Sequence, residues 1–573
     1  MKKFGFSVLI GNLRKYTFCL QEIDAEIRSE KAICYKHMTR KFEADKVFIE
    51  TEKFIFLLDG VILNKRALLC KGQNWLDAII QLYREKGECF FEEFRGSYAG
   101  LLYDKQADKF ILFSDHVGSK FLYYSLVDGA LICSTMIAHI YSFLKENQIN
   151  YQLSTESAYL LLSYGYMLEN RTLCDRIYKL RPGCYLVFQQ GQLREKRFCF
   201  LDNEPDFSLT EDEAIELLDV EFRRAVAAQF DKDLEYGYKH AVALSAGLDS
   251  RMTTWVAHEM GYSNQLNYTF SQSDYWDEVI PKQIARDLKH EWMFKMLDHG
   301  LWMLDIEEIT QLTGGNVVYY GLAHGNSLFK FLCFDELGMA HSGQLGDVVF
   351  GTFFLSLNNN QQFQWGDGAY SKSYLDKVCS INLSEYKNQE IANFYQRGFN
   401  GANNGLLAIM QYTETFSPFM DWELMNAVLK IPLKYRYGHN IYKKWILTKY
   451  PHAANYVWEK IGATIREPMI KIRGKSIPIR QLLKKILMKW FSLKSGWMTS
   501  NHMNPIGYYW QNNDVLRKQI KQILALNGLV EDKELRGVLQ QICREGTIME
   551  KVQAVSLLKA VEVFFGSTFK SEK

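Results

Sequence analysis

His240-Ala-Val-Ala-Leu-Ser-Ala-Gly-Leu-Asp-Ser250 runs from an apolar stretch into small and hydroxylated residues, and the chain beyond it takes up helical spacing. The pattern predicts a strand over His240 to Leu244, a loop, a helix from about Ser250 to Met260 and a second strand over Gln265 to Ser271. Strand, loop, helix and strand in that order make the unit of a parallel α/β sheet, which binds ligands at the carboxyl ends of its strands. A loop of this kind exposes backbone N–H groups beside the positive end of a helix dipole, so it attracts anions. Small residues at 245–247 admit a close approach, and the hydroxyls of Ser245 and Ser250 add donors. Asp249 is suited to hold Mg2+ against phosphates. The competing reading is a purely structural helix cap.

Around this loop, 573 residues are too many for one ordinary core, so two or three domains are expected. With 47% hydrophobic and 23% charged residues and only 9 prolines, the composition excludes disordered and fibrous classes. A formal net charge of +2 gives no general reason for nucleic acid or membrane partners. Eleven cysteines without a CxxC pair suit reduced thiols in a cytoplasmic protein. No run approaches the roughly 18 to 20 apolar residues of a membrane span. The apolar run near the start is broken by Asn12, Arg14 and Lys15, so no export signal is expected.

Upstream, short strands are expected at Phe6–Ile10, Phe54–Leu58, Gly100–Tyr103, Phe110–Ser114, Phe121–Ser125 and Cys184–Phe188, with a helix at Trp75–Arg84. These make a layered α+β unit. Polar Asp202–Leu209 is followed by Thr210 and Glu213, a capping box ahead of a long helix. The domains are accordingly placed at 1–203 and 204–573. The chain becomes mainly helical after about 422, with 470–573 a helical extension. Lys460 to Lys494 concentrates positive charge, read either as a solvated helical face or as a docking surface for an acidic peptide or partner.

Ser245-Ala-Gly-Leu-Asp-Ser250 resembles the Ser-Gly-Gly-Leu-Asp-Ser loop of ATP pyrophosphatases, and the chain around it resembles the asparagine synthetase family. Phe94-Arg-Gly-Ser-Tyr-Ala-Gly-Leu-Leu-Tyr-Asp104, Ser114-Asp-His-Val-Gly-Ser-Lys-Phe-Leu-Tyr-Tyr124 and Leu180-Arg-Pro-Gly183 look like its amidotransferase domain. Ser342-Gly-Gln-Leu-Gly-Asp347, Pro418-Phe-Met-Asp421 and Lys443-Lys-Trp-Ile-Leu447 look like its synthetase segments. The resemblance covers roughly residues 4 to 450. It implies an Ntn-hydrolase-like α/β sandwich followed by a parallel α/β domain of the adenine nucleotide hydrolase type.

It also implies that ATP is a substrate, with Mg2+ on Asp249 and Asp347, while a carboxylate is adenylated and then captured by an amine. The nucleotide would meet Ser245, Ala246, Gly247, Leu248, Asp249, Ser250 and Gly343. Leu244, Thr269 and Phe270 would line the adenine pocket, although ordinary packing explains these three nearly as well. Lys444 would contact the phosphates, with Lys443 the neighbouring candidate.

Several residues depart from the family pattern. Phe4 stands where glutamine-hydrolysing members carry their N-terminal cysteine, and Asp59 replaces an Asn that steadies the oxyanion. The first domain is therefore expected to keep its fold without glutaminase chemistry. Gln344 replaces a Glu and orients a nucleophile without taking its proton, so Glu414 becomes the candidate base. Its alternative is a buried acid paired with a cation. Ala246 for Gly and Thr448 for Arg are further departures. Three functions remain open. The first is an amide-forming ligase similar to β-lactam synthetases and lasso-peptide macrolactam cyclases, acting on a small-molecule or peptide carboxylate with a precursor peptide or biosynthetic protein as partner. The second is an ammonia-fed asparagine synthase. The third is a non-catalytic scaffold.

Overall fold

The computed structural model describes residues 4–353, 357, 361–472, 475–478 and 498–566. Most of the basic stretch within 460–494 lies outside them, so its two readings stay as they stood.

Twelve strands build the first unit. They are β1 (Phe6–Ile10), β2 (Ala25–Arg28), β3 (Ala32–Lys36), β4 (Val47–Glu50), β5 (Phe54–Ile62), β6 (Gly96–Asp104), β7 (Lys109–Ser114), β8 (Tyr123–Val127), β9 (Ala130–Ser134), β10 (Tyr178–Lys179), β11 (Cys184–Gln189) and β12 (Gln192–Arg197). Two six-stranded sheets result, ordered β10-β8-β9-β1-β3-β2 and β12-β11-β7-β6-β5-β4, with antiparallel pairing throughout. Side chains alternate along each strand, so Phe6, Val8 and Ile10 of β1 face Ile55, Leu57, Ala99 and Leu101 of the other sheet. The outer face of that sheet packs Phe56, Leu58 and Phe113 against Trp75, Ala78 and Ile79 of the helix Trp75–Lys86. The helix Ile137–Glu146 covers the outside of the β1 sheet, and the helix Thr155–Tyr164 packs against the helix Ile548–Ala560. The result is a helix–sheet–sheet–helix sandwich, the Ntn-hydrolase-like arrangement.

Thr210 and Glu213 form a reciprocal capping box that opens the 25-residue helix Glu211–Glu235. A five-stranded parallel sheet follows: β13 (Lys239–Ala243), β14 (Gln265–Ser271), β15 (Glu291–Met296), β16 (Leu337–His341) and β17 (Thr415–Phe416), in the order β15-β14-β13-β16-β17. Helices Asp249–Glu259 and Trp276–Leu288 connect the strands. Helices Asp514–Leu524, Lys533–Glu545 and Ile548–Ala560 form the C-terminal region. The apolar core does not stop between the units. Phe564 stacks on Tyr141 with ring centroids 4.1 Å apart, and the Tyr151 hydroxyl donates to the Phe564 carbonyl at 2.8 Å. Among the described residues no helix is long and apolar enough to cross a membrane.

Candidate active site

β13 and β16 end side by side, and the loops leaving them face each other across a cleft of about 460 Å3. Ser245, Gly247, Asp249 and Ser250 line one wall; Ser342, Gly343, Gln344 and Asp347 line the other. The first loop is braced by its own hydroxyls. Ser250 Oγ accepts from Ser245 N at 2.9 Å and lies 2.8 Å from Ser245 Oγ. Asp277 Oδ1 accepts from Ala246 N at 2.7 Å. The loops are locked together by Asp347 N, which donates to Asp249 Oδ2 at 3.0 Å. Gly343 and Gly346 have no room for a Cβ, which would fall within 2.3 and 2.4 Å of the first loop.

Two carboxylates thus meet in a half-enclosed cleft. Burial, and next the charge of Asp347, push the Asp249 carboxyl up to about 8; the Tyr442 hydroxyl, donating to Asp249 Oδ1 at 3.0 Å, only partly offsets them. Such an acid pair is a donor set that fits a hard divalent cation.

The side chains expected at the site divide. Phe270 lines the cleft, whereas Leu244 and Thr269 do not: alternation along the strands sends Ala243 and Tyr268 inward in their place. Leu244 is packed in the core, and the Thr269 hydroxyl is committed to the Leu244 carbonyl at 2.7 Å. Ala246 and Leu248 are buried as well, so they reach the cleft through backbone alone. Lys444 is misplaced by the motif. It lies on the outer face of the helix Asn440–Lys449 and pairs with Glu211 at the surface. Successive helical residues point about 100° apart, so the neighbouring Lys443 faces another way. Burial, then Lys460, with a smaller contribution from Lys443, hold His439 down at about 4 against the opposing pull of Asp347. His439 Nε2 is 2.9 Å from Thr352 Oγ1, which donates to Asp347 Oδ2 at 2.8 Å. Lys460 Nζ lies 3.8 Å from the same carboxylate oxygen. The cation shown beside the acid pair is therefore Lys460.

Glu414 is likewise no base. It is sealed in a quartet with Lys46, Lys120 and Asp59, each side chain at most 4% exposed. Lys46 Nζ lies 2.7 Å from Glu414 and 3.3 Å from Asp59; Lys120 Nζ lies 2.7 and 2.5 Å from the same two. Both charges of each sign are used up between the units. Burial alone would raise the Asp59 carboxyl, but Lys120 and Lys46 outweigh it and hold it at about 2. Gln344 does face the cleft, its Nε2 donating to the Ala402 carbonyl at 2.6 Å.

In the first unit, Phe4 is 3% exposed and its N–H points to Met136 Sδ at 3.5 Å. Ser7 Oγ lies 2.9 Å from His139 Nδ1 and 2.7 Å from Ser134 Oγ, a hydroxyl–imidazole contact shut inside the core.

Sequence reasoning missed Tyr442, Thr352, His439, Lys460, Asp277 and Arg251. Arg251 adjoins the loop motif. Fully buried, it donates to the Ala246 carbonyl at 3.0 Å and the Val457 carbonyl at 2.7 Å, tying the loop to the segment before Lys460. An arginine directly after the motif, in the first turn of a helix that packs into the core, is the signal that was there to be read.

A glutamine amidotransferase domain model matches residues 62–199. The chain is 22% identical to putative asparagine synthetase [glutamine-hydrolyzing] 2 of Methanocaldococcus jannaschii, across 80% of this chain and 87% of that protein. It is 24% identical to asparagine synthetase B [glutamine-hydrolyzing] of Escherichia coli, across 37% and 34% of the two. It is 29% identical to amidase chry2 of Gibberella zeae across 31% of this chain, a match that spans about a quarter (26%) of the amidase's length. With the layered sandwich and the parallel sheet, the chain is similar to asparagine synthetases along most of its length, and residues 62–199 of its first unit are similar to a glutamine amidotransferase domain.

Proposed function

We propose that the chain is an ATP-dependent, AMP-forming carbon–nitrogen ligase that adenylates a substrate carboxylate and couples it to an amine not generated in its own first unit. The observation that carries this reading is the convergence of Asp249 and Asp347 at the carboxyl ends of two adjacent parallel strands. Those two residues would hold Mg2+, which when bound neutralises charge on the phosphates. Backbone and hydroxyl groups of Ser245, Gly247 and Ser250 cradle the pyrophosphate end, and Phe270 with Tyr268 flanks the base. Lys460 balances negative charge that develops as the acyl-AMP forms and is attacked. Gln344 orients the nucleophile by hydrogen bonds, while the proton leaves to solvent or to the substrate itself.

The amine comes from elsewhere because, among the described residues, the positions a glutaminase site would use are otherwise committed: Phe4 is buried ahead of β1, Ser7 is sealed, and Asp59 is spent on two lysines. Pyrophosphate release from ATP, scanned over candidate carboxylates, tests the reading. Asp249→Ala is expected to lower it by about 10²- to 10³-fold. Wild-type protein that binds no Mg2+–ATP would sink it. Likeness along most of the chain to a putative asparagine synthetase favours a second reading, in which aspartate and free ammonia give asparagine. Release that depends on aspartate alone, with asparagine as product, would establish that one instead.

A further inference from the structure

Beside the nucleotide cleft lies a second cavity of about 330 Å3, lined by Tyr166, Val317, Val318, Tyr320, Tyr370 and Arg397 among others. It sits where the units meet, for Tyr166 follows the helix Thr155–Tyr164 of the first unit and forms a bridge with Val317 of the second. The two cavities share Gly321, Ala402 and Gly405. A Cβ built at Gly321 or Gly405 would meet nothing within 4 Å, so open space lies on this shared wall. Gln344 reaches the same wall, bonded to the Ala402 carbonyl. On the other side, Tyr370 is 50% exposed and its hydroxyl lies 3.3 Å from that of Tyr320. The chamber thus has a solvent side and a side toward the site of chemistry.

Its size and lining select a ligand. Ammonia needs about the space of one water, roughly 30 Å3, and would leave this volume unused. No acid is among the described lining residues, and the one charged side chain, Arg397, donates to Asp367 Oδ2 at 3.2 Å. A small ammonium ion finds no counter-charge there. Three tyrosine rings and two valines instead offer apolar faces, and among the described residues the buried Tyr166 hydroxyl has no hydrogen-bond partner.

We propose that this chamber holds an aromatic or branched residue of a peptide-like substrate, whose amide-forming end passes Gly321, Ala402 and Gly405 to reach the nucleotide cleft. This rests on the adenylating reading of that cleft and specifies the substrate class it serves.

The test is calorimetric titration of the full chain with two phenyl probes, N-acetyl-L-phenylalanine and L-phenylalaninamide, each against its alanine counterpart, with and without a non-hydrolysable ATP analogue and Mg2+. One phenyl probe is expected to bind about tenfold tighter than its alanine partner; the N-acetyl acid winning would mean that the chamber serves the carboxylate end, the amide that it serves the amine end. Tyr370→Ala, which lines the chamber and not the nucleotide cleft, should weaken the favoured probe about tenfold with nucleotide affinity unchanged. Gly405→Leu, built into open space, should erase the phenyl preference. Absence of any phenyl preference, or a preference untouched by both variants, overturns the chamber. Failure of the wild type to bind the nucleotide while the phenyl preference persists would overturn the adenylating reading instead.

Discussion

Lys444 shows what a motif reveals and what it withholds. The Lys443-Lys-Trp-Ile-Leu447 pattern is sufficient to expect a helix and a nearby cation, but helix rotation turns Lys444 to the surface and away from the acid pair. That rotation is set by burial of Tyr442, Trp445 and Ile446, a packing outcome of the whole domain. Lys460→Ala is expected to lower pyrophosphate release about 10- to 100-fold, and Lys444→Ala to change it less than about twofold, since an exposed pair contributes little. Steady-state rates of the two variants decide the assignment. Lys460 itself was illegible: it lies past the helix and owes its position to Arg251, whose four carbonyl acceptors span residues 246 to 457. Leu244 and Thr269 miss the cleft for a similar reason, because the strand was recognisable and the face it turns inward was not.

At the level of elements, the buried quartet does more than join two units. Glu414 directly precedes β17, its carbonyl accepts from Ala340 N at 2.9 Å, and Phe416 accepts from Ser342 N at 3.0 Å. Ser417 Oγ then donates to the Gln344 carbonyl at 2.9 Å. The ion pairs thereby steady the edge strand on which the second loop rests. Glu414→Ala leaves two buried lysines with one acid and is expected to destabilise the protein by about 3–5 kcal/mol, measured by denaturant unfolding. The acid response has a defined sign. Because the folded Asp59 carboxyl is held at about 2, below its ordinary value of about 3.9, its contribution is complete above that ordinary value and is lost as pH falls through about 2. Asp59→Asn should flatten this part of the acid unfolding curve. The same residue explains why β5 was read short. Asp59-Gly60 looks like the end of a strand, but two lysines neutralise the acid and the strand continues to Ile62.

For the whole molecule, the alternation of apolar residues made β1, β5 to β8, β11, β13 and β14 legible while the other strands went unread, and the capping box at Thr210 located the start of the second unit's first helix. The joining of the two cores was not legible, since no local pattern announces that Tyr141 and Phe564 will stack. Phe564→Ala is expected to cost about 3–5 kcal/mol and to lower the melting temperature of the protein as a single transition. Purified protein given glutamine is expected to release no glutamate above a catalyst-free control, by coupled assay; steady release would restore a glutaminase role to the first unit. The stacking of Tyr141 on Phe564 also fixes an order of events during synthesis. The helix Ile137–Glu146 leaves the ribosome well before the aromatic cover over its Tyr141, which lies far along the chain at Phe564. A nascent chain must therefore carry this sticky face uncapped while the intervening residues are made, which makes it a natural resting place for a chaperone.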